Sequence, residues 1–326
     1  MRNWTHHYAR INDLQMHYVE EGKGPLVVLL HGFPHTWYSW RHQVSALAEA
    51  GYRVVAPDLR GMGQTECPEE LSAYRADVIT ADLCALLDHL GEERAVFSGI
   101  DYGMFAAYDL AAECPERVRA LIGLQYASLP HYDQLPSQTE LERGKESFNH
   151  MAYYHADPQG ARADYEAHPR EIIAKIFHAL STDGDMGAVY ANPAGTAYRD
   201  ALPEPPALPW SWLTEWELEV YVSDFARSGF GGGINWYRVA DLNWAYRNAR
   251  GAKNTNVPYY FLGSETDLLL AEQYGAGIQA QLDANHKDVR AVQTVPGGGY
   301  LIAMERSAEV SAKFLEFLHD MDRVRV

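Results

Sequence analysis

The sequence predicts an α/β protein, with a mostly parallel central sheet carrying helices on both faces and an inserted helical cap (lid). Three observations predict this class. Continuous apolar runs such as Leu26-Val27-Val28-Leu29-Leu30 and Ala120-Leu121-Ile122 alternate with stretches of helical apolar spacing, a rhythm that gives parallel strands joined by helical crossovers. The rhythm stops at residue 131 and resumes at residue 257, with many aromatics and few strand-like runs between. Finally, a glycine lies two residues before and two residues after Asp101, at the junction of an apolar strand-like run and a helix-like one.

Residues 5–18 alternate polar and apolar around Asn12-Asp13, the pattern of an opening antiparallel hairpin. Pro25-Leu26-Val27-Val28-Leu29-Leu30 reads as a central strand, because an unbroken apolar run suits a strand covered on both faces. It leads into His31-Gly32-Phe33-Pro34, a loop able to turn a backbone N–H toward the end of a neighbouring strand. Residues 37–50 read as a helix, 52–58 as a strand, and Asp58-Leu59-Arg60-Gly61-Met62-Gly63 as a glycine-rich turn. That turn lacks a third glycine and a following Lys-Ser, so a phosphate cradle has little support there. Residues 77–90 form a helix closed by Gly91, and 118–124 the strand after Asp101's helix. Within the insertion, Leu202-Pro203-Glu204-Pro205-Pro206-Ala207-Leu208-Pro209 reads as a stiff extended connector. Residues 257–263 and 288–295 resume the sheet, and 308–321 close the chain as an amphipathic helix. The expected organisation is a core in two parts, 1–130 and 251–326, interrupted by a cap over 131–250.

The 326 residues are 47% hydrophobic and 22% charged, enough for one large core with an inserted module. A formal charge of -17 argues against a nucleic-acid or anionic-membrane partner, either of which needs a basic face. Cys67, Cys84 and Cys114 are odd in number and lack metal spacing, so no disulfide framework and no metal are expected, and a reducing, cytoplasmic setting fits. No signal-peptide pattern opens the sequence, and no run approaches the roughly 18 apolar residues of a membrane span. A small-molecule substrate, no cofactor, and a monomer or homodimer are expected.

The glycine spacing around Asp101 is that of a nucleophile elbow, a turn so tight that its central side chain is pushed out at a helix N-terminus. A carboxylate there attacks saturated carbon and leaves an alkyl ester on the protein. The plainer reading is that Asp101 N-caps the following helix. Ser98 lies on the strand side of the turn, which disfavours a serine esterase.

Taken together, these residues resemble the α/β-hydrolase fold and, within it, the epoxide hydrolase family, over nearly the whole chain. His31-Gly32-Phe33-Pro34 resembles the family's H-G-x-P oxyanion motif, Asp58-Leu59-Arg60-Gly61-Met62-Gly63 its D-x-R-G-x-G, and Gly99-Ile100-Asp101-Tyr102-Gly103 its G-H-D-W-G. The resemblance implies Asp101 as nucleophile, Phe33 and Tyr102 as oxyanion-hole donors, and Asp267 in Gly263-Ser264-Glu265-Thr266-Asp267 as the triad's acid. Gly229-Phe230-Gly231-Gly232-Gly233-Ile234-Asn235-Trp236-Tyr237-Arg238 is similar to the cap segment whose tyrosine grips the epoxide oxygen, which implies that role for Tyr237. His150 falls where a second ring-opening tyrosine is expected, with Tyr153 or Tyr154 as alternatives after a small shift. Met151, Tyr154, Trp236, His31 and Pro34 are the implied substrate-binding residues, although His31 also reads as a structural member of its loop.

One departure is severe. The register of the family's catalytic histidine reads Gly298-Gly299-Tyr300-Leu301-Ile302-Ala303-Met304-Glu305-Arg306, which puts Tyr300 at the histidine's place. A phenol with a reference pKa of about 10 is a poor base at neutral pH, so hydrolysis of an Asp101 ester is expected to be impaired. Ring opening, cyclisation or rearrangement of an epoxide on a fairly large apolar substrate then competes with three alternatives. These are a non-catalytic binder that keeps the pocket, a hydrolase stalled by a natural or engineered His-to-Tyr change, and a haloalkane or fluoroacetate dehalogenase using the same carboxylate.

Overall fold

The computed structural model describes residues 4–251, 255–267 and 277–323. Its strands are β1 (His6–Ile11), β2 (Leu14–Glu21), β3 (Leu26–Leu30), β4 (Arg53–Pro57), β5 (Ala95–Gly99), β6 (Val118–Leu124), β7 (Tyr259–Ser264) and β8 (Val289–Val295). They form one sheet in the order β1-β2-β4-β3-β5-β6-β7-β8. The opening hairpin pairs antiparallel with itself and with β4. All later pairings are parallel. Every residue of β3 and β5 is buried, as expected of central strands covered by helices on both faces. Each fully buried aliphatic side chain there contributes about 1.5–3 kcal/mol.

Three helices cover the first half of the sheet: α1 (Arg41–Glu49), α2 (Ala76–Leu90) and α3 (Tyr102–Glu113). Gly91 ends α2 in the left-handed region at φ 72°, where a glycine C-cap carries no Cβ penalty. The helix expected over residues 37–50 is in fact a 3₁₀ turn, Trp37–Trp40, followed by α1. The Thr36 side chain caps that turn, and the buried Asp58 carboxylate accepts the Trp37 N–H at 2.8 Å, which fixes a tighter entry than an α-helix would give.

Between β6 and β7 lie α4 (Pro136–Glu146), α5 (His150–Ala156), α6 (Pro158–Ala167), α7 (Pro169–Leu180), α8 (Met186–Tyr190), α9 (Tyr198–Ala201), α10 (Glu215–Ser228), α11 (Gly231–Arg238) and α12 (Ala240–Arg250). The proline-rich segment 203–209 carries neither helix nor strand. These helices are bonded to the core at several points. Arg41 of α1 meets Glu217 of α10 at 2.9 Å, and Trp236 Nε1 donates to the Arg60 carbonyl at 2.9 Å. Asn243 accepts the Ala76 N–H at 2.7 Å, at the start of α2. Asp109, on α3, is gripped by Arg247 at 2.6 Å and Arg250 at 3.2 Å, both from α12.

At α11 main chain meets main chain. A Cβ on Gly232 would overlap the Gly61 carbonyl, and one on Gly233 would fall within the Phe33 ring. The glycine run therefore lets this helix rest directly on two core loops, and Tyr237 follows one turn later.

Candidate active site

Asp101 stands between β5 and α3 with φ 56° and ψ -133°, a conformation that a non-glycine residue adopts only when its surroundings hold it there. The flanking glycines explain how. A Cβ on Gly103 would overlap the Leu30 carbonyl, and one on Gly99 would meet the Gly103–Met104 main chain. Asp101 occupies the N-cap position of α3, but its side chain accepts no N–H from the second or third residue of the helix, as a capping carboxylate would. Its carboxylate accepts instead from the Phe33 N–H at 3.1 Å and from the Tyr102 N–H. Tyr300 donates its hydroxyl proton to Asp101 Oδ2 at 3.1 Å. Burial raises the Asp101 pKa above the usual carboxylate value, and these three donors pull it part of the way back.

Behind the carboxylate is a chain of hydroxyls. Tyr126 Oη lies 3.0 Å from Tyr300 Oη. Burial, followed by the Asp101 charge, lifts the Tyr300 pKa well above 10, so the phenol is protonated at neutral pH. No histidine hydrogen-bonds Asp101 among the described residues. Asp267 is bonded by Gln125, whose Nε2 donates to Asp267 Oδ2 at 3.2 Å and to the Gly299 carbonyl at 3.0 Å. The Gln125 Oε1 accepts the Ser264 N–H at 2.8 Å, so one amide ties Asp267 to the loop that carries Tyr300. Sequence reasoning missed Gln125 and Tyr126. Their signal was position: they follow β6 at its carboxyl end, where α/β sheets place ligand-facing groups, and Gln125 has φ 66°.

The inserted helices face this centre with aromatic side chains. The Tyr237 ring meets Tyr102 edge-on at 4.9 Å, Tyr154 at 4.7 Å and Phe33 at 6.2 Å. Its hydroxyl has no hydrogen-bond partner among the described residues, and burial and Asp101 keep it protonated. His150 lies edge-on to Tyr237 at 5.6 Å with Nδ1 3.2 Å from the Tyr190 hydroxyl. Burial lowers its pKa to about 4, so the ring is neutral at pH 7.

Three sequence expectations change. Tyr154 is 1% exposed and its hydroxyl is shared with Tyr165 at 2.9 Å, so its ring packs against Tyr237 while its polar end points elsewhere. His31 is fully buried: the Leu59 N–H donates to Nε2 at 2.9 Å, which places the proton on Nδ1, and Nδ1 donates to the Gly32 carbonyl at 2.7 Å. Both nitrogens are used by the main chain, making His31 a brace for the Phe33 loop and not a substrate contact. Pro34 is buried after a cis Phe33–Pro34 bond, in the same brace.

A cavity of about 580 Å³ runs beside α3. Tyr102, Met151, Trp236, Tyr237, Asp109 and Arg247 are among the residues that line it, with His286. Asp101 is outside this wall, although its neighbour Tyr102 is in it, and Asp101 keeps intermediate exposure. The wall mixes aromatic with polar and charged groups, unlike the apolar pocket expected. Among the described residues, no cluster of three His, Cys, Asp or Glu side chains is placed to hold a metal ion, and no helix is long and apolar enough to cross a membrane.

Residues 25–162 match the model of a family described as alpha/beta hydrolase fold. The chain is 35% identical over 322 residues to epoxide hydrolase A of Mycobacterium tuberculosis, covering 98% of each. This chain belongs to the epoxide hydrolase family of α/β-hydrolases. An epoxide hydrolase from an endophytic Streptomyces superposes with a TM-score of 0.90 at 32% identity, covering 99% of this chain and 97% of that one. The pig bifunctional epoxide hydrolase 2 is 34% identical over 274 residues, 82% of this chain but 47% of that longer protein. The epoxide hydrolase described here is thus an α/β-hydrolase whose likeness to its relatives extends through the inserted helices as well as the sheet.

Proposed function

We propose that this enzyme opens an epoxide by attack of the Asp101 carboxylate, and that ordinary hydrolysis of the resulting ester is the step it performs poorly. The observation that carries the reading is the Asp101 carboxylate held in a strained elbow by the Phe33 and Tyr102 N–H groups and the Tyr300 hydroxyl. In the first step an Asp101 oxygen bonds to a ring carbon, the C–O bond opposite breaks, and the alkoxide takes a proton from Tyr237 while His150 steadies it with a hydrogen bond. Tyr237 suits this role because its hydroxyl is protonated and not engaged elsewhere among the described residues. His150 suits the hydrogen-bonding part, as the neutral tautomer that accepts from Tyr190 at Nδ1 and presents its N–H on Nε2.

The second step of hydrolysis needs a base to deprotonate water beside the ester carbonyl. Tyr300 hydrogen-bonds Asp101, but its proton is held by burial and directed at the carboxylate. Asp267 accepts from Gln125 Nε2, and among the described residues no histidine hydrogen-bonds Asp101. A substrate carrying its own hydroxyl removes the need for water: Asp101, its pKa raised by burial, takes the proton of that hydroxyl as it closes on the epoxide, giving cyclisation or rearrangement in place of a diol. The cavity beside α3 supports a sizeable substrate with an aromatic or aliphatic part near Tyr102 and Tyr237 and polar groups toward Arg247.

The test is intact-mass and product measurement after exposure to aryl epoxides and epoxy alcohols, using wild type and Asp101→Asn. An adduct or rearranged product that depends on Asp101 is expected. Tight ligand binding with neither adduct nor product would instead make the protein a binder.

A further inference from the structure

Asp101, Tyr300 and Tyr126 form a hydrogen-bonded chain whose direction follows from chemistry. A carboxylate only accepts, so the Tyr300 proton points to Asp101 Oδ2 across 3.1 Å. Tyr300 has one proton, so across the 3.0 Å contact its oxygen accepts and Tyr126 donates. Without Tyr126, the Tyr300 hydroxyl could rotate and give its proton to another acceptor, and its oxygen would be open to a water or a substrate hydroxyl.

We propose that Tyr126 is a positioning residue for Asp101, acting through Tyr300: its donated hydrogen bond locks the Tyr300 hydroxyl onto the carboxylate and fills the acceptor position that a hydrolytic water would otherwise take. The proposal rests on the reading of Asp101 as nucleophile. Donor chains of this kind strengthen each link, so the Tyr126 hydrogen bond makes Tyr300 a better donor and favours the charged form of Asp101. The Tyr126 main chain is held independently of its hydroxyl. Its carbonyl accepts from Tyr108 at 2.9 Å and from Tyr259 at 2.6 Å, and its ring packs edge-on against Phe105 at 4.9 Å. Tyr126→Phe should therefore leave the backbone and the packing in place while deleting the donated proton.

The experiment measures Asp101 alkylation by styrene oxide as a function of pH, by quenched intact mass with product counted alongside, in wild type, Tyr126→Phe, Tyr300→Phe and the double variant. Tyr126→Phe is expected to move the acid limb up by about half a pH unit, a roughly threefold loss of rate below that limb. Tyr300→Phe is expected to move it further, and the double variant to match Tyr300→Phe alone. A Tyr126→Phe profile that overlays wild type, or an equal shift in the Tyr300→Phe background, overturns the proposal while leaving Asp101 as nucleophile. Alkylation of Asp101→Asn at the wild-type rate overturns the nucleophile reading itself.

Discussion

Tyr300→His tests the chemistry of the second step most directly. At pH 7 a phenol of reference pKa about 10 is roughly one part in a thousand ionised, whereas an imidazole of reference pKa about 6.5 is about three-quarters neutral. Burial and the Asp101 charge lower the ionised fraction of Tyr300 further. The substitution thus raises the fraction of competent base by at least about 10³, equivalent to about 4 kcal/mol, within the 10²–10⁴ range typical of a placed general base. The imidazole is also shorter than the phenol whose oxygen now reaches Asp101 Oδ2 at 3.1 Å, so it leaves room for a water beside the ester. Diol formation from an aryl epoxide is expected to rise about 10²–10³-fold, with a matching fall in accumulated ester. Gln125 holds Asp267, the group that would orient the new ring, and ties it to the loop that carries position 300, so adding Gln125→Ala in the same background should reduce the gain. Rapid-quench mass spectrometry reads the ester and chromatography reads the diol. A correctly folded Tyr300→His that accumulates ester as before and makes no additional diol would refute the idea that water activation limits turnover.

Further outcomes follow from the contacts between the inserted helices and the core. Asp224 of α10 is buried beside Gln64 and Thr36, and burial, then the Asp58 charge, raise its pKa from 3.8 to about 7. Because its folded pKa lies above its unfolded one, its contribution to stability is full below about pH 4 and is lost as pH rises to about 7. Asp224→Asn should be more stable than wild type by about 2–4 kcal/mol at pH 8 and indistinguishable near pH 4, read from paired urea melts. Asp109→Asn leaves Arg247 without its carboxylate and Arg250 with Glu113 alone, and is expected to cost about 3–5 kcal/mol, measured the same way at pH 7. Gly233→Ala drives a methyl into the Phe33 ring and shifts Tyr237 relative to the Phe33 N–H, so Asp101 alkylation should slow about 10²-fold and the overpacking should cost about 1–3 kcal/mol of stability.

The elbow was legible because its cause is local: two glycines, one strand and one helix within nine residues fix where Asp101 points. The same holds for the buried strands, whose apolar runs need no knowledge of the rest of the chain. Residues that act by meeting distant partners were not legible. Tyr126 touches Tyr300 across 174 positions and Gln125 touches Asp267 across 142, and neither residue type signals such a contact by itself. His31 stood out as a histidine in a functional loop, yet its role depends on Leu59 and Gly32 using both ring nitrogens. The mixed wall of the cavity arose the same way, from Asp109, Arg247 and His286 brought together by α3, α12 and the approach to β8.

The seat of α11 on Gly61 and Phe33 has a practical reach. Where two main chains touch, there is no side chain to trim, so reshaping the space around Asp101 from that direction would move Tyr237 with it. Libraries aimed at new substrates belong on α5, at Met151 and the residues around it, with α11 kept as the fixed datum. Any cap transplanted from a relative should bring its own version of the Gly61 turn, since the two surfaces are shaped to each other.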